Sequence, residues 1–130
     1  TLAPMDTLVV KKVERFSPGD DSAEVTLASG KGEIIAFSYP CDLSEGQAVP
    51  NLLHCMAEEV RSAHLSDWPE SVKDALSIER LERVGPLGYR GCGRVIDQSA
   101  GLVEVLGFIL DLGDLPCSGP VEFKCTRIDL

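Results

Sequence analysis

The stretch AEVTLASGKGEIIAFSY, residues 23–39, decides the fold class of this chain. Its first half alternates apolar and polar residues, with Ala23, Val25 and Leu27 on one side. This period of two is typical of a half-buried β-strand. The glycine-containing turn SGKG follows at residues 29–32, and a second alternating run completes the segment. The sequence therefore predicts an antiparallel β-hairpin here.

Further strand patterns lie on both sides of the hairpin. They cover residues 8–16, 89–97, 102–110 and 121–130. The run 102–110 is apolar on both faces, which predicts one central and well-covered strand. Glycine within a strand indicates a bend or a close backbone approach. Glycines with this potential role are Gly91, Gly93 and Gly107.

The middle of the chain has a helical pattern instead. Leu53, Met56 and Val60 recur at the spacing of one helix face. A second helix is predicted from Pro69, because proline is tolerated in the first turn of a helix. These patterns predict a helical insertion over about residues 51–79.

The order of elements predicts a single domain over residues 1–130, of the α+β class and mainly β. Five to six strands with glycine bends favour an antiparallel β-barrel, with the helical insertion between the third and fourth strands. This order resembles that of the OB-fold over most of the chain, although no specific motif accompanies it. The alternative is an α+β sheet with two helices on one face.

Composition and charge narrow the function classes. The 130 residues include 12 Lys and Arg against 21 Asp and Glu, a formal net charge of −9. This charge argues against unspecific nucleic-acid binding, which depends on neutralising phosphates. No uncharged apolar run approaches the ~18–20 residues of a membrane span. The five cysteines form no CxxC pair and no signal peptide is visible, so we expect a cytoplasmic protein with reduced thiols.

The negative charge is concentrated in the middle of the chain. Residues 41–85 hold nine acidic and four basic side chains. Complementary potential accelerates encounter and selects partners, and an exposed tryptophan is a natural interface anchor. We therefore expect a non-catalytic acidic binding module, such as an inhibitor or immunity-type protein that caps a basic protein. The other interpretation is a solvated surface that keeps the protein soluble, with a tryptophan that packs against the end of the barrel or between two helices. The residues expected to bind the partner are Asp42, Glu45, Glu58, Glu59, Asp67, Trp68, Glu70 and Asp74.

A second candidate site lies in the strand at residues 89–97. Arg90, Cys92 and Arg94 share one face by the strand period. Two guanidinium groups beside a thiol would lower its pKa and would hold an anion. The alternative is that both arginines form ion pairs across the sheet.

Other chemistries find less support in the sequence. His54 and Glu58, with Cys41 or Cys55, are metal-ligand types without a standard spacing, and no catalytic signature occurs. We therefore expect no catalytic residues, no metal and no cofactor. The alternative functions are an OB-type binder of single-stranded nucleic acid, or a small enzyme or thiol-based sensor. Nucleic-acid stacking would use residues such as Phe37, although Phe37 is predicted to lie in the core.

The C-terminal strand suggests one further partner. If the barrel is incomplete, residues 121–130 would form a free edge strand. A free edge can pair with a second copy and produce a homodimer.

Overall fold

The computed structural model describes residues 7–39, 41–62, 69, 71 and 78–130. Its elements within these ranges are all β-strands. They are β1 (Thr7–Arg15), β2 (Ala23–Ala28), β3 (Glu33–Ser38), β4 (Ala48–Pro50), β5 (Leu53–Ser62), β6 (Arg80–Val84), β7 (Gly88–Asp97), β8 (Leu102–Val105), β9 (Phe108–Asp111) and β10 (Pro120–Asp129).

The predicted hairpin is confirmed as β2 and β3. The two strands are antiparallel, with Ala23 opposite Ser38 and Ala28 opposite Glu33. The predicted inner face of β2 is fully buried. In β3, however, Ile34 and Ala36 face the core, so Phe37 lies on the outer face and is only partly buried. The prediction that Phe37 belongs to the core was wrong, because the turn sets a register that turns its side chain outward.

Five strands close a β-barrel, which confirms this part of the predicted architecture. The closed order is β10–β5–β9–β8–β7, with β7 pairing back to β10. Pairing is antiparallel throughout this ring except between β5 and β9, which are parallel. The meander β1–β2–β3 joins the ring through a parallel contact between β3 and β10, and β4 pairs with β1.

The inner faces of the ring and of the meander share one hydrophobic core. Large, fully buried side chains come from both parts, among them Leu8, Leu27, Leu53, Phe108 and Ile128. Complete burial of such a side chain stabilises the fold by roughly 1.5–3 kcal/mol. The core therefore holds the meander against the ring.

The predicted helix over Leu53 to Val60 is a strand, so the helical insertion is not supported. Leu53 is buried and Cys55 and Ala57 are partly buried, whereas His54 and Met56 are exposed, which is a period of two. β5 pairs with β10 at eight positions, and this ladder outweighs the helical spacing of the apolar residues. Most of the second predicted helix, which begins at Pro69, lies outside the described residues. No helix in the described ranges is long and apolar enough to cross a membrane.

The apolar run 102–110 forms two strands rather than the single strand predicted. β8 and β9 are joined by Leu106 and Gly107, whose φ angles are 49° and 81°. Positive φ at both central residues is the geometry of the tight turn that suits a twisted hairpin. Asn51 anchors this turn, because its amide group donates to the Gly107 carbonyl (2.8 Å) and its oxygen accepts from the Ile109 N–H (3.0 Å).

The glycines of β7 confirm the predicted close backbone approach. A Cβ atom added at Gly91 would lie 2.6 Å from the Arg80 carbonyl oxygen, and one at Gly93 would lie 2.7 Å from the Glu104 carbonyl oxygen. Real Cβ atoms essentially never approach so closely. Both positions therefore require glycine where β7 packs against β6 and β8.

The C-terminal strand does not provide the free edge that we expected for residues 121–130. β10 pairs with β5 along one side and with β7 along the other, and its end contacts β3. A strand flanked on both sides has no free row of backbone groups to offer. The homodimer expected through this strand therefore loses its structural basis, and β4 and β6 end the order of the sheet.

Candidate functional site

The residues predicted as one acidic surface are dispersed, as far as the structure describes them. Glu58 and Glu59 are exposed on β5, where they form ion pairs with Lys124 (3.5 Å) and Arg61 (3.6 Å). Asp42 and Glu45 are exposed in a separate loop. In this loop the Gly46 N–H donates a hydrogen bond to a carbonyl of β1. The other four, Asp67, Trp68, Glu70 and Asp74, lie outside the described residues.

A different group of acids shares a row on the outer face of the sheet. Register places Glu14 of β1 opposite Glu24 of β2, and Glu24 opposite Phe37 of β3. The row continues through Asp129 of β10 and His54 of β5 to Asp111 of β9. We call its four carboxylates the acidic row. They are Glu14, Glu24, Asp111 and Asp129.

The acidic row is only partly neutralised. Lys12 pairs with Glu14 (2.5 Å), and Arg127 donates two hydrogen bonds to Asp129 (2.6 and 3.0 Å). Among the described residues, Glu24 makes no hydrogen bond or ion pair through its side chain, and it faces Glu14 directly. Like charges directly opposite each other destabilise a sheet. A local loss of stability of this kind is typical of a functional surface.

Aromatic and sulfur-containing side chains lie beside this row. Phe16 is 50% exposed and its ring centroid lies 6.0 Å from that of Phe37. The Arg127 guanidinium lies 4.2 Å above the Phe37 ring, and Met56, 51% exposed, is opposite Arg127. We call these four residues the aromatic patch. Phenylalanine, methionine and arginine are residue types enriched at protein interfaces.

A second arrangement is a cleft on the outer faces of β5, β10, β7 and β6. Its volume is about 370 Å³. Register brings its residues together in two rows: Arg61, Glu122 and Arg80 lie in one, and Glu59, Lys124 and Arg90 in the next. We call this the basic cleft, because four cationic and two acidic side chains line it. These are Arg61, Arg80, Arg90 and Lys124, with Glu59 and Glu122.

Glu122 organises one side of the basic cleft. Arg61 donates to one of its oxygens through Nε and Nη2 (3.1 and 2.9 Å), and Arg80 donates to the other (3.2 Å). Partial burial alone would raise the pKa of Glu122, but the hydrogen bonds and charges of the two arginines outweigh it and lower the pKa. Arg61 and Arg80 are therefore held in place by a carboxylate of the protein itself.

The depressed pKa of Glu122 predicts acid sensitivity. A carboxyl group of this kind stabilises the fold at pH values above its ordinary pKa of 4.5, and that contribution is lost as the pH falls through the folded-state pKa. Glu122→Gln is expected to cost about 1–2 kcal/mol of unfolding free energy at neutral pH and much less near pH 3. Urea unfolding at both pH values measures this. An equal cost at the two pH values would contradict the assignment.

The three residues predicted as an anion or thiol site differ in burial and in their partners. Arg90 is exposed and lines the basic cleft, while Cys92 is fully buried between Glu122 and Arg80 in the register. Burial raises the pKa of the Cys92 thiol, which Arg80 only partly offsets, so the thiolate is not favoured. Arg94 instead donates to the buried Glu104 (3.2 Å), an ion pair across the sheet.

The other four thiols differ in burial. All five cysteines are free, and Cys41 and Cys125 are buried. A hydrogen bond with Cys125, together with burial, raises the pKa of the Cys55 thiol strongly. Within the described ranges, no three His, Cys, Asp or Glu side chains come close enough to hold a metal ion.

The structure thus offers two candidate surfaces: the acidic row with the aromatic patch, and the basic cleft. Only part of the basic cleft was singled out from the sequence. Arg90 was expected at an anion site, but the acidic row, the aromatic patch and the partners of Arg90 in the basic cleft come from strands far apart in the chain. Only strand register brings them together.

Comparison of the chain with protein-family models, with curated proteins and with solved structures gave no match.

Proposed function

We propose that the protein is a non-catalytic interaction module that binds a basic protein partner, as an inhibitor or immunity-type protein does. The observation that carries the proposal is Glu24, a carboxylate without a partner among the described residues that faces Glu14 across the sheet. A cationic side chain of a partner would relieve this repulsion. The same contact would add an interaction that the free protein lacks.

The neighbourhood of Glu24 supports the same proposal. Interface energy is usually concentrated in a few aromatic and arginine side chains surrounded by a polar rim. The aromatic patch supplies such a centre, with Phe37 directly opposite Glu24, and the acidic row supplies the rim. The net charge of −9 would attract a basic partner at long range, since complementary charge raises association rates.

Charge reversal at Glu24 tests this proposal. Partners are first selected from a displayed library of small basic domains, and their affinity is measured by surface plasmon resonance at about 50 and 150 mM salt. We expect Glu24→Lys to weaken binding about tenfold, which corresponds to roughly 1.4 kcal/mol. We expect Phe16→Ala to weaken it also, through the loss of apolar contact.

Asp114→Lys provides the matched control for this experiment. Asp114 is an exposed acid outside the acidic row, and its reversal changes the net charge by the same amount. If Asp114→Lys weakens binding as much as Glu24→Lys, the protein acts through net charge alone and the acidic row is not the binding surface. Affinity that does not fall with salt would also oppose the proposal.

A second candidate is an OB-type binder of single-stranded nucleic acid. The order β1–β2–β3–β10–β5, with β4 returning to β1, is compatible with an OB-like barrel. The stack of Phe16, Phe37 and Arg127 favours this candidate, because bases stack on aromatic and arginine side chains. The adjacent acidic row would repel phosphates, so we rank it second. A gel shift with a single-stranded oligonucleotide at low salt, abolished by Phe37→Ala, would reverse this ranking.

A further inference from the structure

The basic cleft contains a pair of like charges that the fold does not require. Lys124 of β10 and Arg90 of β7 are directly opposite each other in the antiparallel register. Two cations in this position repel each other and weaken the pairing of the strands. The chain is acidic, with a net charge of −9, and an acidic residue at either position would have replaced this repulsion with an ion pair.

Neighbouring carboxylates leave this repulsion incompletely neutralised. Glu58 lies 3.5 Å from Lys124. Glu82 is opposite Arg90 on β6, but within the described part of the chain Arg90 makes no hydrogen bond or ion pair. Glu122 is already occupied by Arg61 and Arg80. Arg90 therefore offers a complete set of guanidinium donors to the cleft.

We propose that the basic cleft binds a small tetrahedral oxyanion, a phosphate or a phosphate monoester, between Arg90 and Lys124. Arginine donates paired hydrogen bonds to phosphate oxygens, and lysine adds a point charge. Because Arg90 and Lys124 come from adjacent strands, one anion can bridge them and replace their repulsion by two attractions. Arg80 lines the same cleft and adds positive potential from β6.

The surroundings restrict the ligand to a small anion. Glu59 lies within the cleft, and Glu58 and Glu82 lie beside its two cations. A long polyanion would have to pass these carboxylates as well as the negative charge of the whole molecule. A single phosphoryl group reaches the cations without extending across the acids. The volume of about 370 Å³ is near the lower end for small-molecule sites.

Titration with inorganic phosphate at low ionic strength tests the proposal. Binding is followed by the chemical shifts of the protein amides and by isothermal calorimetry, with sodium chloride of equal ionic strength as the reference. We expect Arg90→Ala to raise the Kd about tenfold or more, since a charge-assisted contact is lost. We expect Lys124→Ala to raise it about threefold, because Glu58 already shares this charge. Arg90→Lys is expected to fall between Arg90→Ala and the unsubstituted protein.

Lys11→Ala is the control, because Lys11 is an exposed cation on β1 outside the cleft. A loss with Lys11→Ala equal to that with Arg90→Ala would overturn the proposal, as would shifts that sodium chloride reproduces. Circular dichroism verifies that each variant is folded. Glycerol phosphate, titrated in parallel, distinguishes a monoester ligand from free phosphate: tighter binding of the ester indicates that the cleft also contacts the esterified group. Binding of neither anion would refute the inference.

Discussion

Replacing Gly93 with alanine is expected to lower the free energy of unfolding by about 3 kcal/mol. The added Cβ would lie 2.7 Å from the Glu104 carbonyl oxygen, 2.7 Å from Val103 Cγ1 and 3.1 Å from Val105 Cβ. None of these atoms moves easily, because β8 is held on one side by β7 and on the other by β9. The strands must therefore separate to accept the methyl group.

Urea unfolding measures this loss as a lower midpoint with an unchanged slope. Gly119→Ala is the matched control, because a Cβ at Gly119 would meet no atom within 4 Å and its φ is not positive. We expect that control to change stability by no more than about 0.5 kcal/mol. Equal effects of the two substitutions would show that β7 and β8 do not pack as closely as described.

Asn51→Ala is expected to cost about 2–4 kcal/mol, the second large effect. The Asn51 side chain is almost fully buried and satisfies both the Gly107 carbonyl and the Ile109 N–H. Removing it leaves two backbone groups without their partner, and each such buried group costs about 1–3 kcal/mol. The turn it holds already contains Leu106 at a φ of 49°, a conformation that non-glycine residues rarely adopt.

Two measurements check this expectation. Urea unfolding gives the total loss, and hydrogen exchange of the Ile109 amide should become faster in Asn51→Ala than in the unsubstituted protein. Gln98→Ala removes an exposed amide side chain and serves as the control. If Asn51→Ala is no more destabilising than Gln98→Ala, the turn does not depend on the asparagine.

The strands at both ends of the chain were predictable because local pattern and tertiary position agree there. The hairpin of β2 and β3 has alternating residues and a glycine-containing turn, and most of β10 also alternates. β5 differs, because Leu53, Met56 and Val60 fit a helix while Leu53, Cys55 and Ala57 fit a strand. Its alanine, glutamates and methionine favour a helix intrinsically. Pairing with a distant strand decides the outcome, and local propensity does not contain that information.

The candidate surfaces were harder to predict for the same reason. Summing charge along the chain pointed to residues 41–85, but strand pairing gives Glu58 and Glu59 cationic neighbours. It also aligns acids from β1, β2, β9 and β10 into one row. Arg90 was recognised from its own strand, whereas Lys124, Arg61 and Arg80 become its neighbours only through the register.

The position of β10 in the chain has a consequence for synthesis on the ribosome. β10 supplies the ladder partner of β5 and β7, yet among the described strands it comes last in chain order. At roughly 5–20 residues per second, several seconds separate the emergence of β5 from that of β10. During this interval the backbone N–H and C=O groups of β5 that later pair with β10 are exposed to other polypeptides. The β5–β10 ladder therefore forms only after residues 120–129 have emerged from the ribosome. A chaperone that covers β5 would protect the nascent chain most before that point.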